Sequence, residues 1–142
     1  MGPTRSSSSS SKGARVAILL DTNALLALLD IAGRLGPESR RVLEADGTVL
    51  ASRASLLEVA IKHRAGKLAI APEQIGELID SSGLLELGIE RRHLAAMKSV
   101  ELPHRDPFDA LLVAQAQSES LWLLTTDQVL LHSVERSLDA TA

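Results

Sequence analysis

The 142-residue chain predicts an α/β fold of three layers, α/β/α, with helices on both faces of a mostly parallel sheet of four or five strands. Three observations lead there. Val16-Ala17-Ile18-Leu19-Leu20 and Leu121-Trp122-Leu123-Leu124 are short apolar runs, too continuous for alternating edge strands and suited to strands buried on both faces. Segments of helical length, punctuated by Gly and Pro, separate the strand candidates. Acidic residues follow both runs, Asp21 at once and Asp127 after Thr125-Thr126. An open α/β sheet keeps its chemistry where its strands end.

The elements can be justified in order. Residues 1–14 (MGPTRSSSSSSKGA) form a Ser-rich lead, expected to be a flexible tail or cloning remnant outside the fold, with one domain over 15–142. Residues 16–20 are the first strand. Leu25, Leu26, Leu28, Leu29 and Ile31 predict a helix over 23–34, buried on most sides, and Gly36-Pro37 stops it. Pro37 opens a second helix to about Ala45. Asp46-Gly47 reads as a turn, and Thr48-Val49-Leu50-Ala51 as a second strand. A third helix is expected from Ser55 to Ala65, closed by Gly66. Pro72 opens a fourth to about Ile79. Leu84 to Ile89 is a strand candidate, and Glu90 to Lys98 a helix. Asp106-Pro107 starts a strong helix through about Ser118. Leu121–Leu124 is the last clear strand, and residues 127–137 read as a final helix.

Composition narrows the function classes. Phe108 and Trp122 are the two aromatic residues, so the core is aliphatic and aromatic base-stacking platforms are excluded. There is no cysteine, which removes disulfides, thiol catalysis and Cys-ligated zinc, and fits a reducing cytoplasm. No apolar run reaches the roughly 18 residues of a membrane span, so no membrane partner is expected. The net charge is −3, and −5 without Arg5 and Lys12 of the lead. A passive nucleic-acid binder is normally basic. An acidic chain can still process nucleic acid if its carboxylates hold cations.

Each carboxylate has an ordinary reading beside a functional one. Asp21 can cap the helix that follows it, as can Asp127. Glu58 lies three residues after Ser55, the spacing of a capping box. Asp106 can cap its helix with Pro107 first and Asp109 third, which puts both acids on nearly one helical face. Two carboxylates there repel, and a cation would relieve them. Jointly, strand-end and helix-start acids can converge on one edge of a parallel sheet, and hard oxygen ligands suit Mg²⁺ or Mn²⁺. Clustered carboxylates also imply that Asp21→Asn leaves the metal-free chain at least as stable as the wild type. His63, His93, His104 and His132 are scattered, without zinc-site spacing. Lys62, Arg64 and Lys67 gather at the end of the Glu58 helix, either a solvated helix end or a contact for a phosphate backbone.

Four segments, Leu19-Leu20-Asp21-Thr22-Asn23-Ala24-Leu25-Leu26, Ala54-Ser55-Leu56-Leu57-Glu58-Val59-Ala60-Ile61-Lys62, His104-Arg105-Asp106-Pro107-Phe108-Asp109-Ala110-Leu111-Leu112-Val113-Ala114-Gln115-Ala116 and Leu123-Leu124-Thr125-Thr126-Asp127, occur in an order and spacing that resembles the PIN-domain ribonucleases. Within these the likeness is to the VapC-like toxins of type II toxin–antitoxin pairs, and it spans residues 16–131. The resemblance implies a PIN-like domain and a Mg²⁺-dependent endoribonuclease, with Mn²⁺ as a substitute, leaving 5′-phosphate and 3′-hydroxyl ends. It implies Asp21, Glu58, Asp109 and Asp127 as the catalytic and metal-binding quartet, with Asp21 and Asp109 most direct. Asn23 and Thr125 would support the site, Asp106 would be an extra acid at its rim, and Lys62 and Arg64 would meet substrate. It also implies a cognate VapB-like antitoxin and a second toxin copy as partners, with the helix from Asn23 and the Pro72 helix as docking surfaces. Two departures stand out. Ala110 occupies a position where this subgroup often has Arg, and Ser133 to Ala142 lacks a clear final strand.

Two other classes compete. A non-catalytic PIN-like module binding RNA or protein would be favoured by loss of a quartet member, and none is missing. Haloacid-dehalogenase-like phosphatases also place Asp after the first strand, but they usually carry Asp-x-Asp, where this chain has Asp21-Thr22-Asn23.

Overall fold

Five short strands, all parallel, form the centre of the computed structural model, which describes residues 16–45 and 47–142. The expected tail over 1–14 and Asp46 of the expected turn lie outside the described residues. In chain order the elements are β1 (Ala17–Leu20), α1 (Thr22–Leu28), α2 (Pro37–Glu44), β2 (Thr48–Ser52), α3 (Arg53–Arg64), α4 (Pro72–Ser81), β3 (Leu85–Leu87), α5 (Arg91–Ala96), a 3₁₀ turn (Met97–Ser99), α6 (Pro107–Ser118), β4 (Trp122–Thr125), α7 (Gln128–Ser133) and β5 (Ser137–Asp139). The sheet order is β3-β2-β1-β4-β5.

Alternation along the central strands divides the core in two. Ile18 and Leu20 of β1 and Leu124 of β4 face a layer built by α1, by Val59 of α3 and by Ile75 and Ile79 of α4. Leu19 and Leu123 face the other layer, where Leu111, Leu112, Val113 and Ala116 of α6 meet Leu130 of α7. Strands buried on both faces explain the continuous apolar runs. The sheet position of β1, between β2 and β4, puts the strand ends of Leu20, Ser52 and Thr125 at one carboxyl edge.

Several elements differ from the expected ones. α1 stops at Leu28, six residues before the expected end. Asp30 adopts a left-handed conformation (φ 61°), its amide bonds to Ala27 O, and the Ile31 amide bonds to Leu26 O at 2.8 Å. This is a Schellman closure with Asp where Gly is usual. α3 begins at Arg53, because Ser52 is its cap: the Ser52 hydroxyl accepts from the Ala54 amide at 2.9 Å. Ser55 is therefore buried inside the helix, and the capping-box reading of Glu58 falls. At the other end Gly66 (φ 75°) closes α3 as expected.

β5 replaces the end of the expected last helix. α7 ends at Ser133, and Ser137–Asp139 pairs with Leu123–Thr125 of β4. The unassigned fifth strand thus exists, and the described sheet is wholly parallel. Segment 139–142 then packs on the start of α2, where Gly36 donates to Ala140 O at 2.9 Å. A Cβ at Gly36 would lie 2.0 Å from Ala142 O, so the close approach requires glycine.

Candidate active site at the carboxyl edge of the sheet

Parallel strands followed or preceded by helices bring the starts of α1, α6 and α7 to this edge. Three of the acids singled out from the sequence are caps of those helices. Asp21 caps α1 through Oδ1, which accepts from the Ala24 amide at 2.7 Å. Asp106 caps α6, accepting from the amides of Phe108 at 2.9 Å and Asp109 at 3.3 Å. Asp127 caps α7, accepting from the Val129 amide at 2.7 Å. Capping and convergence are not alternatives here, because the caps belong to three helices that start at the same place.

Asp21 is the most enclosed of these acids, 4% exposed. Its Oδ2 accepts from the Thr125 hydroxyl at 2.5 Å and the Thr126 amide at 3.3 Å. Burial raises its carboxyl above the ordinary aspartate range, while the bonds from Thr125, Ala24 and Thr126 oppose the rise. Thr125 also accepts from the Asp127 amide at 3.0 Å, and so joins Asp21 to the α7 cap.

Asp109 is half-buried in the first turn of α6 and is not a cap. Its carboxyl is pushed up to about 6, first by burial and then by the negative charges of Asp106 and Asp127, with His104 opposing. One ligand atom each from His104, Asp109 and Asp127 lies within 4.8 Å of the others. His104 Nε2 is 3.4 Å from Asp109 Oδ2. That nitrogen is buried and has no hydrogen-bond partner among the described residues. Two carboxylates meeting here beside a buried ring nitrogen, one of them raised by burial and then by like charge, offer hard oxygen donors that fit a divalent cation. His104 was not singled out from the sequence, since its spacing matches no zinc motif. The usable signal was its place five residues before Asp109, across the turn that leads into α6.

Glu58 stands apart from that trio. Its Oε1 accepts from the Thr22 hydroxyl at 2.7 Å, and Oε2 pairs with Lys62 at 2.9 Å. The Thr22 hydroxyl is also bonded to that of Ser55, at 2.9 Å. The residue after Asp21 therefore ties α1 to α3 and holds Glu58 toward the same edge. Lys62 is engaged with Glu58, and Arg64 is exposed at the last position of α3, about 9 Å farther along the axis from Glu58. Asn23 is exposed and makes a long contact, 3.5 Å, to the Thr126 hydroxyl. Asp106 is exposed at the rim.

A second polar group is buried behind this edge. The Ser52 hydroxyl donates to Gln115 Oε1 at 2.5 Å, and Gln115 Nε2 donates to Gly88 O at 3.2 Å. His93, wholly buried, accepts at Nδ1 from the Glu90 amide at 3.0 Å and reaches Glu119 through Nε2 at 2.8 Å. Glu119 is held below the ordinary glutamate range by His93, and further by Arg92. These groups tie α3, which carries Glu58, to α5 and α6.

The fold has solved relatives. The chain is similar to VapBC2 from Rickettsia felis bound to a promoter DNA fragment, with a TM-score of 0.64 at 17% identity over 89% of this chain and 99% of that one. A toxin–antitoxin complex from Klebsiella pneumoniae gives 0.61 at 23% identity, over 87% and 97%. VapC20 from Mycobacterium tuberculosis, described as a sarcin–ricin loop cleaving toxin, gives 0.52 at 15% identity, over 77% and 87%. No curated protein sequence matches the chain. The family model of the PIN domain matches residues 18–135, and the chain belongs to the PIN domain family.

Proposed function

We propose that this protein is a divalent-metal-dependent endoribonuclease acting as the toxin of a type II toxin–antitoxin pair. The observation that carries the reading is the meeting of Asp109 and Asp127 at the carboxyl edge, near Asp21 and beside the His104 ring, in a PIN-domain chain. Asp21, Asp109 and Asp127 would hold Mg²⁺ or Mn²⁺, with Glu58 completing the acidic quartet. A bound cation would supply charge neutralisation at the scissile phosphate and a more acidic water.

The chain's own residues divide the remaining work. Three donors occupy Asp21, leaving about one of a carboxylate's four acceptor positions for a cation. Among the described residues no backbone N–H donates to the Asp109 carboxylate, which is freer to serve as a ligand. Thr22 orients Glu58 through Oε1. Thr125 sets the spacing between Asp21 and Asp127. Lys62 and Arg64 supply positive charge along α3 for an RNA backbone, with Lys62 also neutralising Glu58 in the resting state. Asn23 and Asp106 line the rim. The products would carry 5′-phosphate and 3′-hydroxyl ends.

The solved relatives from Rickettsia felis and Klebsiella pneumoniae are toxin–antitoxin assemblies, which supports a VapB-like antitoxin as partner, with a second copy of this chain in the complex. No helix among the described residues is long and apolar enough to cross a membrane. With the absence of cysteine, this supports action in the cytoplasm.

The test is cleavage of a mixed RNA pool that includes ribosomal and transfer RNA, by antitoxin-free protein in Mg²⁺, Mn²⁺ or EDTA. Metal-dependent cuts with 5′-phosphate ends, lost in Asp109→Asn, are expected. Binding of RNA without cleavage in any arm would favour the non-catalytic module, and equal cleavage by the variant would sink the assignment.

A further inference from the structure

His104 sits in the turn before α6 with its two ring nitrogens in different surroundings. Nδ1 accepts from the Asp106 backbone amide at 3.3 Å. An amide N–H can face only an unprotonated nitrogen, so the ring proton belongs on Nε2. Nε2 is buried, has no hydrogen-bond partner among the described residues, and lies 3.4 Å from Asp109 Oδ2. A shift of about half an ångström, with a small turn of the ring or the carboxylate, would bring the pair to ordinary hydrogen-bond length and angle. Among the described residues, Asp109 Oδ2 is the carboxylate oxygen paired with this nitrogen.

The same geometry argues against His104 as a metal ligand. Ligation through Nε2 needs a lone pair there, which moves the proton to Nδ1 and sets it against the Asp106 N–H. Asp106 is itself held as the α6 cap, so its amide is not free to turn away. The imidazole thereby carries its donor on the side of Asp109, off-line from Oδ2 as the ring stands.

We propose that His104 is a positioning residue for Asp109: fixed by the Asp106 amide, it directs its Nε2–H at Oδ2 and so sets which carboxylate oxygen faces the cation. The inference rests on the metal-site reading above. It assigns the turn His104-Arg105-Asp106 a part in assembling the site, beyond starting a helix. The aim of the ring does not depend on charge, since a neutral imidazole suffices.

Mn²⁺ binding to the full chain, followed by electron paramagnetic resonance, tests it without using activity. Wild type, His104→Gln and His104→Leu would be titrated, with a thermal melt for each. Gln restores an N–H near the Nε2 position and should bind within about threefold of wild type. Leu removes the donor and should bind about 10- to 100-fold more weakly, the usual range for loss of a ligand's outer partner. The pulsed spectrum of the wild-type complex should lack a directly bonded nitrogen. Nitrogen coupling from a bonded imidazole would overturn the proposal and make His104 a ligand. Equal binding by Leu and wild type, or a tenfold loss in Gln, would also overturn it. If the Leu variant does not fold, the Gln titration and the wild-type spectrum decide. Absence of Mn²⁺ binding by the wild type would instead sink the underlying metal-site reading, a result separable from the others.

Discussion

The hydroxyl of Thr125 donates to the carboxylate of Asp21 across 104 residues of chain, at 2.5 Å and out of contact with water. Both residues stand at ends of adjacent parallel strands. Thr125→Val keeps the shape but leaves the buried carboxylate without its side-chain donor and the Asp127 amide without an acceptor. The expected cost is about 1–3 kcal/mol. Thr125→Ser should recover most of it. Melts in EDTA check the stability, and melts in Mn²⁺ should show a smaller metal-induced rise for Val than for wild type. An unchanged Val variant would mean that this bond does not organise the edge.

Asp109 gives the protein a pH dependence of definite sign. Its carboxyl titrates near 6 in the folded chain, against a reference of 3.8. The folded state therefore holds the proton more tightly. This group's contribution to stability is full below about 3.8 and is lost as pH rises through about 6. Asp109→Asn removes the loss. The metal-free variant should be more stable than wild type at pH 7, by about 1 kcal/mol after discounting for partial exposure. The difference should shrink toward pH 4. Urea unfolding at several pH values, in EDTA, measures it, and comparing variant with wild type cancels the other titrating groups. A difference independent of pH would refute the assignment. In Mg²⁺ the order should reverse.

Asp21→Asn should behave differently, and the structure revises the expectation drawn from charge repulsion. Three donors point at this carboxylate. An amide offers one oxygen, so its NH₂ must face either the Thr126 or the Ala24 N–H. Relief from burying a charge is offset by that clash of donors. A net loss of about 1 kcal/mol is expected in EDTA, together with loss of stabilisation by Mg²⁺. An Asn variant as stable as wild type, or more so, would show that repulsion dominates after all.

Gln115 separates stability from chemistry. It is buried on α6, beyond Asp109 along the helix, and bonds to Ser52 and Gly88. Gln115→Leu leaves the buried Ser52 hydroxyl and the half-buried Gly88 carbonyl short of partners. About 2–3 kcal/mol should be lost, with Mn²⁺ affinity within about threefold of wild type. A large loss of affinity at unchanged stability would place Gln115 in the site itself.

Legibility varied with the reach of each signal. Gly66 announced the end of α3, because glycine is the residue that takes a left-handed conformation at least cost. Asp30 ends α1 in the same way, yet an Asp in a polar–apolar pattern carries no such announcement. β5 was hidden for another reason. Its three residues have no apolar run, and only pairing with β4 and the burial of Leu138 make them a strand.

By itself, the sequence determined a three-layer α/β domain, the strand ends that carry Asp21 and Thr125, and the helix starts that carry Asp106, Asp109 and Asp127. Those features rest on local periodicity and capping, which act over a few residues. Tertiary structure alone decided which acids meet. It set Asp109 and Asp127 beside His104, and turned Glu58 toward Thr22 and Lys62. Those outcomes depend on how α3, α6 and α7 dock against the sheet, a matter of packing between distant segments that no local pattern records.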